Sequence, residues 1–285
     1  MKYYVLLLIF AIILMILIVV GNAASLKNLY RKEKNEELNQ YSGLERESII
    51  SEKDIEHLPE PVQNYLKYCG FIEHEEIINA EVIWSDSYIK LAPERKWMKL
   101  KTQQFNSVPE PMRIAYMKAA ILGVIPFEGR DIYRDGRGNM LGKIAGIFTV
   151  FNSQDKETSQ SALITILAEV PLVPGYALAD YITWEEIDKN TANARILHKG
   201  LDVGGTFFFN DKGEYIRFET DDRYYNDPKG DYKKIKFTAL VDDYTEKEGL
   251  KFPTKVKAIW HLPEGEYEYW KGTISDIYFN VKDID

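Results

Sequence analysis

The stretch Asp242-Asp-Tyr-Thr-Glu-Lys-Glu-Gly249-Leu-Lys-Phe-Pro253-Thr-Lys-Val-Lys-Ala-Ile-Trp260-His-Leu262 decides the fold class. It runs from a polar, glycine-containing turn into a period-two strand. From Thr254 onward, Val256, Ala258, Trp260 and Leu262 fall on one face and Lys255, Lys257 and His261 on the other, as a half-buried antiparallel strand requires.

The same alternation recurs on either side. Strands are expected at Ala80–Leu91, Trp97–Phe105, Met112–Lys118, Gly129–Arg134 and Met140–Phe151, with Gly123–Phe127 as an apolar loop. Further strands are expected at Tyr181–Ile187, Ala192–Lys199, Val203–Phe209, Glu214–Tyr225, Tyr232–Asp242 and Tyr267–Val281. Asp135-Gly136-Arg137-Gly138, Asn210-Asp-Lys-Gly213 and Glu246-Lys-Glu-Gly249 supply hairpin glycines. The glycines at 136 and 138 lack the Lys-Ser/Thr that a phosphate-cradling loop needs, so they belong to a turn. Two helices interrupt the strands. Leu58–Tyr68 has prolines in its first turn and an apolar stripe of Val62, Tyr65, Leu66 and Cys69, and Gly70 stops it. Glu157–Val170 carries Leu163, Ile164, Leu167 and Ala168 on one side and is ended by Pro171 and Pro174. The expected class is α+β, predominantly antiparallel β: a curved sheet or half-barrel packed on one or two helices, with an N-terminal transmembrane helix.

The chain has 285 residues and a formal net charge of −8, with 13% aromatic residues. The acidic field disfavours polyanions, so nucleic acid is not an expected partner. The single cysteine, Cys69, forbids an internal disulfide or a multi-cysteine metal site, and its neighbours Tyr68, Gly70 and Phe71 mark it as a packed small hydrophobe.

At the amino end, Tyr3–Val20 is free of charge and dominated by Leu, Ile and Val, about 18 residues, which is near the lower limit for crossing a bilayer core. It is read as an uncleaved signal-anchor over 1–21. The competing reading is a cleaved signal peptide with Gly21-Asn-Ala-Ala-Ser25 as the peptidase site, but the apolar run exceeds the usual length for one. Residues 22–54 form a polar, helical or flexible stalk, and 55–285 the β-rich globular domain. Lys27, Arg31, Lys32 and Lys34 after the segment favour a cytoplasmic domain by the positive-inside rule.

Leu58-Pro-Glu-Pro-Val-Gln-Asn-Tyr-Leu66, Arg130-Asp-Ile-Tyr-Arg-Asp-Gly-Arg-Gly-Asn-Met140 and Trp260-His-Leu-Pro-Glu-Gly265 resemble an uncharacterised family of bacterial membrane-anchored proteins, known chiefly as a domain of unknown function. The likeness covers nearly all of residues 55–281 and brings no established reaction. More weakly, Tyr244–Pro253 is similar to the periplasmic lipoprotein carriers and their half-barrel relatives. That resemblance implies a curved sheet wrapped around helices and holding acyl chains. It also implies an extracytoplasmic domain, in conflict with the charge count.

Phe207, Phe208 and Phe209 are consecutive, and Tyr269 and Trp270 are neighbours expected to point oppositely, so parts of the sheet are covered on both faces. An apolar cavity between the sheet and the 157–170 helix would be lined by Trp97, Phe105, Tyr116, Phe207, Phe209, Trp260 and Trp270, and the competing reading makes these plain core. Arg130, with Arg134 and Arg137, is a candidate for an anionic head group. His57, His74, His198 and His261 are too dispersed for a metal, and none is expected. Glu185-Glu186, Asp221-Asp222 and Asp242-Asp243 point to opposite faces of strands and make no catalytic dyad. No nucleophile elbow is present. No catalytic residue or cofactor is assigned. The leading expectation is a membrane-tethered domain binding a lipid-like or other apolar ligand in the concavity of its sheet. The alternatives are a hydrolase or isomerase using His261 and a carboxylate such as Glu264, and an envelope scaffold for another protein.

Overall fold

The computed structural model describes residues 3–5, 7, 25–43, 48–121, 123–227 and 230–282. The expected transmembrane segment 1–21 lies almost wholly outside the described residues, and no helix among those described is long and apolar enough to cross a membrane.

The chain opens with α1 (Leu26–Tyr41), the single turn α2 (Glu52–Ile55) and α3 (Glu60–Tyr68). Six strands follow in meander: β1 (Asn79–Ile89), β2 (Met98–Ser107), β3 (Met112–Ile121), β4 (Ile125–Arg134), β5 (Arg137–Ile144) and β6 (Phe148–Ser153). Next come α4 (Lys156–Ala168) and a 3-10 segment at Pro174–Leu178. The remainder is β7 (Ile182–Asp188), β8 (Thr191–His198), β9 (Leu201–Phe209), β10 (Tyr215–Thr220), β11 (Tyr224–Asn226), β12 (Tyr232–Lys234), β13 (Phe237–Lys247), β14 (Leu250–Leu262) and β15 (Gly265–Phe279).

Thirteen strands form one antiparallel sheet in the order β6-β5-β4-β3-β2-β1-β15-β14-β13-β10-β9-β8-β7, and β11 pairs with β12 separately. β15 is the seam. It binds β1 from Ala80↔Phe279 to Ile89↔Trp270 and β14 from Lys255↔Thr273 to Leu262↔Gly265, so it joins two meanders into one surface. Bulges in β1 after Ile83 and opposite the Ala258/Ile259 step bend that seam, because an extra residue on one strand increases local coiling. The sheet wraps α3, α4 and the 174–178 segment, and its inner face joins them in the main core: Val82, Ile196, Val203, Phe207, Phe218, Phe237 and Ile277 with Tyr65, Leu66, Leu163, Leu167 and Tyr176.

Both expected helices are present, and Gly70 ends α3 at a φ of 75°. Several strand limits differ from the expectation. The polar stretch from Asp242 is mostly strand, since β13 continues to Lys247 and the turn is Glu248-Gly249, both with positive φ (55° and 83°). The Gly123–Phe127 loop is shorter than expected, with Ile125 already paired to Ile121. Met140–Phe151 is two strands, split by Ala145-Gly146, again both at positive φ (53° and 70°). Glu214–Tyr225 and Tyr232–Asp242 each divide into two strands as well, without a positive-φ residue at the break.

The segment expected as a stalk carries α1, which lies against the outer face of the sheet. Leu26, Tyr30 and Leu38 form a second core with Phe105, Met112, Ile114, Tyr116 and Ile132. Its charges are matched from below: Lys34 Nζ lies 2.8 Å from Glu81, Glu33 3.1 Å from Arg130, and Glu36 3.0 Å from Arg134. The apolar outer face of β2–β4 gives the helix its seat on the domain, and these pairs fix its position there.

Candidate functional site

α4 sets the floor of the site. Asp155 caps it by accepting from the Thr158 N–H at 2.7 Å, and Gly138 lets it approach β5, because a Cβ there would lie 2.7 Å from Ser159 Cα. The helix ends at Glu169, whose carboxylate enters a buried polar cluster on the inner face. It accepts from Arg113 Nε at 2.8 Å, Gln104 Nε2 at 2.9 Å and Asn106 Nδ2 at 3.0 Å. Arg113 Nη1 donates to Asp131 at 2.9 Å, and Trp84 Nε1 donates to Gln104 Oε1 at 3.3 Å. Burial works against the Arg113 charge, but the adjacent Glu169 and Asp131 outweigh it and hold its pKa above the ordinary value. The guanidinium is fixed between two carboxylates, so the cluster ties the end of α4 to β3 and β4.

From this cluster toward the β3–β4 hairpin the inner face turns apolar. Met117, Phe127, Phe151 and Trp270 are partly exposed and Met140 is exposed, flanking the buried Trp84. Glycines make the space for these rings. A Cβ on Gly142 would collide with the Phe151 ring, and one on Gly272 would lie 2.6 Å from both Trp84 and Trp270. Trp84 and Trp270 meet edge to face with centroids 4.8 Å apart. The result is a concave wall, aromatic and thioether-rich, with an Arg–carboxylate cluster at one end.

The nine expected ligand-contacting residues do not converge there. Trp270 is on the wall. Phe207, Phe209 and Trp260 face inward but are packed in the main core. Phe105 and Tyr116 belong to the opposite face, beneath α1. Trp97 sits between two ammonium groups, Lys90 Nζ at 4.7 Å and Lys271 Nζ at 4.5 Å from its ring centroid. Arg130 donates to Glu33 and to Asn139 Oδ1 at 2.7 Å, so α1 occupies the place expected for an anionic group. His261 Nε2 is 2.7 Å from Thr238 Oγ1, and its Nδ1 is 3.6 Å from Glu266, the nearby carboxylate in place of Glu264. Thr238 is only 3% exposed, which denies a substrate access to that hydroxyl.

Two expectations about double coverage resolve differently. Phe208 is covered outside by Arg217, whose guanidinium carbon lies 3.9 Å from the ring centroid. Tyr269 and Trp270 both pack on the main core, because Ala258 pairs with Trp270 and Ile259 with Glu268, leaving Tyr269 as the bulged residue.

Sequence reasoning missed the Glu169 cluster and a second constellation, in which Tyr133 OH is 2.7 Å from His198 Nδ1 and His198 Nε2 is 2.8 Å from Glu110. The only signal was that Gln104 and Asn106 share a strand face with Leu100, opposite Phe105, and period two alone does not mark that face as the interior. Among the described residues no group of His, Cys, Asp and Glu is arranged to hold a metal ion. Cys69 is buried, and burial pushes its thiol up to about 12. A depression of about 410 Å³ lies elsewhere, bordered by Ile49, His74, Lys247, Leu250 and Phe279, and none of the nine expected residues lines it.

Residues 48–272 match the model of a family of unknown function, DUF6544, and the chain belongs to that family. None of the curated proteins compared with it matches the chain. Among the solved structures similar to the chain are three that cover most of it. One is a Vibrio parahaemolyticus domain assigned to outer membrane lipoprotein sorting, 10% identical, covering 71% of this chain and 86% of its own, with a TM-score of 0.40. Another is a LolA superfamily protein from Nitrosomonas europaea, 12% identical, covering 77% and 94%, with a TM-score of 0.43. The third is a DUF1329 family protein from Desulfovibrio piger, 9% identical, covering 78% and 92%, with a TM-score of 0.41. The family membership agrees with the first resemblance carried by the sequence motifs, and a LolA superfamily name and a lipoprotein-sorting name recur among the similar structures; similarity at this level makes no statement about what this chain binds.

Proposed function

We propose that this member of the family is held at a membrane by its apolar N-terminal segment and binds a lipid-like or other apolar ligand against the inner wall of its sheet. The observation that carries the reading is the partly exposed surface of Met117, Phe127, Met140, Phe151 and Trp270 on the concave side. Concave, mostly apolar surfaces with a few convergent polar groups are the usual form of small-molecule sites. Flexible Met side chains and flat rings suit an acyl chain, which offers no hydrogen bonds and many conformations. The Glu169–Arg113–Asp131 cluster closes one end, so the polar part of a bound amphiphile has charged and amide groups beside it. The site has moved from the expected one, toward the β3–β4 hairpin and away from the filled space around α4.

Native mass spectrometry of the detergent-extracted full chain tests this. Co-purified lipid is expected on the wild type and lost in Met117→Glu, which places a charge in the apolar wall. A ligand-free mass in every preparation, or an adduct untouched by Met117→Glu in a folded protein, overturns it. Protease shaving of intact cells reads the side of the membrane.

A further inference from the structure

The two hairpin tips at one end of the sheet are apolar and exposed. Val124 is 80% exposed and Ile125 39% at the β3–β4 tip, and Phe148 is 68% and Val150 54% exposed at and beside the β5–β6 tip. The tips are tied together by the Ala145 N–H donating to Pro126 O at 2.8 Å. Contiguous exposed apolar surface on a soluble domain marks a place of contact. Both φ-positive turns, at Gly123 and at Ala145-Gly146, project these side chains outward, where no packing within the domain requires them.

Behind the tips lies a row of cations. Lys101 pairs across to Lys118, Lys118 to Glu128, and Glu128 to Lys143, so three lysines flank one glutamate on the outer face, and Lys101 and Lys118 are exposed. Lys118 is three residues from Ile121, and at about 3.4 Å per residue the row stands roughly 10 Å from the tip. Apolar groups of interfacial elements enter the head-group and acyl boundary by about 5–10 Å, so tips at that depth bring the row to the level of the head groups.

Glu128 also fixes where α1 begins. It accepts from the Leu26 N–H at 3.0 Å and from Ser25 Oγ at 3.1 Å, so α1 starts beside this row and runs away from the tips toward Arg134. Only four residues separate Val20, the end of the apolar run, from Ser25. An extended chain of that length spans at most about 18 Å. Ser25 therefore lies toward the same end of the domain as the exposed hairpins and within that reach of the apolar run.

We propose that the β3–β4 and β5–β6 tips are a bilayer-contacting edge: Val124, Ile125, Phe148 and Val150 enter the head-group and acyl boundary, and the Lys101–Lys118–Lys143 row meets anionic phosphates. This rests on the membrane attachment proposed above. It sets the open end of the inner wall, with Met117, Phe127 and Phe151, directly on the lipid surface, so an acyl chain reaches the wall without crossing water.

The test uses the full chain reconstituted in vesicles of phosphatidylcholine and phosphatidylglycerol, with an environment-sensitive fluorophore on Val124→Cys or Phe148→Cys. Leu197→Cys, 62% exposed on β8, is the control, and the buried Cys69 takes no label. The expected result is blue-shifted emission at both tips, quenched several-fold more by nitroxide-labelled lipid than at Leu197→Cys and little by aqueous iodide. Tips quenched by iodide on protein that co-floats with vesicles overturn the edge and leave the attachment standing. Protein that fails to co-float overturns both. Tip labels shielded from both quenchers show a protein partner there and also overturn the bilayer assignment.

Discussion

Replacing Glu169 by Ala removes the acceptor that gathers Arg113, Gln104 and Asn106 at the end of α4. The side chains of Arg113 and Glu169 are 13% and 12% exposed, so solvent compensates little. Breaking a buried pair by deleting one partner costs about 3–5 kcal/mol, chiefly through the charge left behind. Asp131 remains on Arg113 Nη1 at 2.9 Å and limits that term. The Gln104 and Asn106 amides each lose one acceptor but keep another, Asn106 Oδ1 at 2.9 Å and Tyr176 OH at 3.5 Å, so each adds only about 1 kcal/mol. These terms overlap, and the expected total is about 3–4 kcal/mol, which for a domain of this size lowers Tm by roughly 6–16 °C. Glu169→Gln keeps an acceptor oxygen and should cost about half as much. Urea unfolding of the full chain in detergent, followed by circular dichroism, measures both. A loss below about 1 kcal/mol for Glu169→Ala, or equal losses for the two variants, would show that the cluster does not hold α4 to the sheet.

Three further outcomes follow from particular contacts. Ser25 caps α1 and Glu128 holds that cap, so Glu128→Ala should free the start of α1 at a cost of about 1 kcal/mol and raise hydrogen exchange in α1 by about fivefold to tenfold while the strands stay protected; unchanged exchange would show that Glu128 does not hold the helix start. Gly205→Ala should cost about 1–3 kcal/mol, because its Cβ would meet the Phe218 ring and lie 2.8 Å from the Glu219 carbonyl, whereas Gly204→Ala, with the Ala194 carbonyl oxygen at 3.1 Å and the movable Arg195 side chain at 3.2 Å, should be milder; the reverse order in thermal melts would refute the packing argument. Burial holds Glu33 and Glu37 above the ordinary carboxylate value, outweighing Arg130 for Glu33, and outweighing a Ser107 hydrogen bond and Arg134 for Glu37. A raised folded pKa means tighter proton binding in the folded state, so these ionisations oppose α1 docking at neutral pH and cease to do so as pH falls. Exchange protection of α1, corrected for intrinsic rates, should therefore rise between pH 7 and the pH just above acid unfolding, and a steady fall would contradict the sign.

The strand order could not be read in advance, but most strands could, because alternation survives wherever one face is wet. Turns were legible where glycine or aspartate occupies the positive-φ positions, as at Asp135-Gly136. The β5–β6 turn places Ala145 in the same conformation, and a lone Gly146 beside it inside an apolar run does not mark a break. Phe105 and Tyr116 were placed on the wrong face for a physical reason: α1 covers the outside of β2–β4, so both faces carry apolar residues there and period two no longer says which is inward. The bulge at Tyr269 depends on the register of β14 against β15, a property of two strands together. Arg113 and Glu169 were invisible as a pair because their 56-residue separation has no spacing rule, and only the fold closes it.

The seam formed by β15 has a consequence for synthesis. Ala80 and Phe279 are roughly 200 residues apart, so the last strand made completes a pairing whose partner left the ribosome long before, the kind of non-local contact that slows folding. Until residues 265–279 emerge, the backbone groups along β1 and β14 that this strand will bind have no partner, and such open borders recruit other chains. Nascent or truncated copies ending before Gly265 should depend on a chaperone and self-associate.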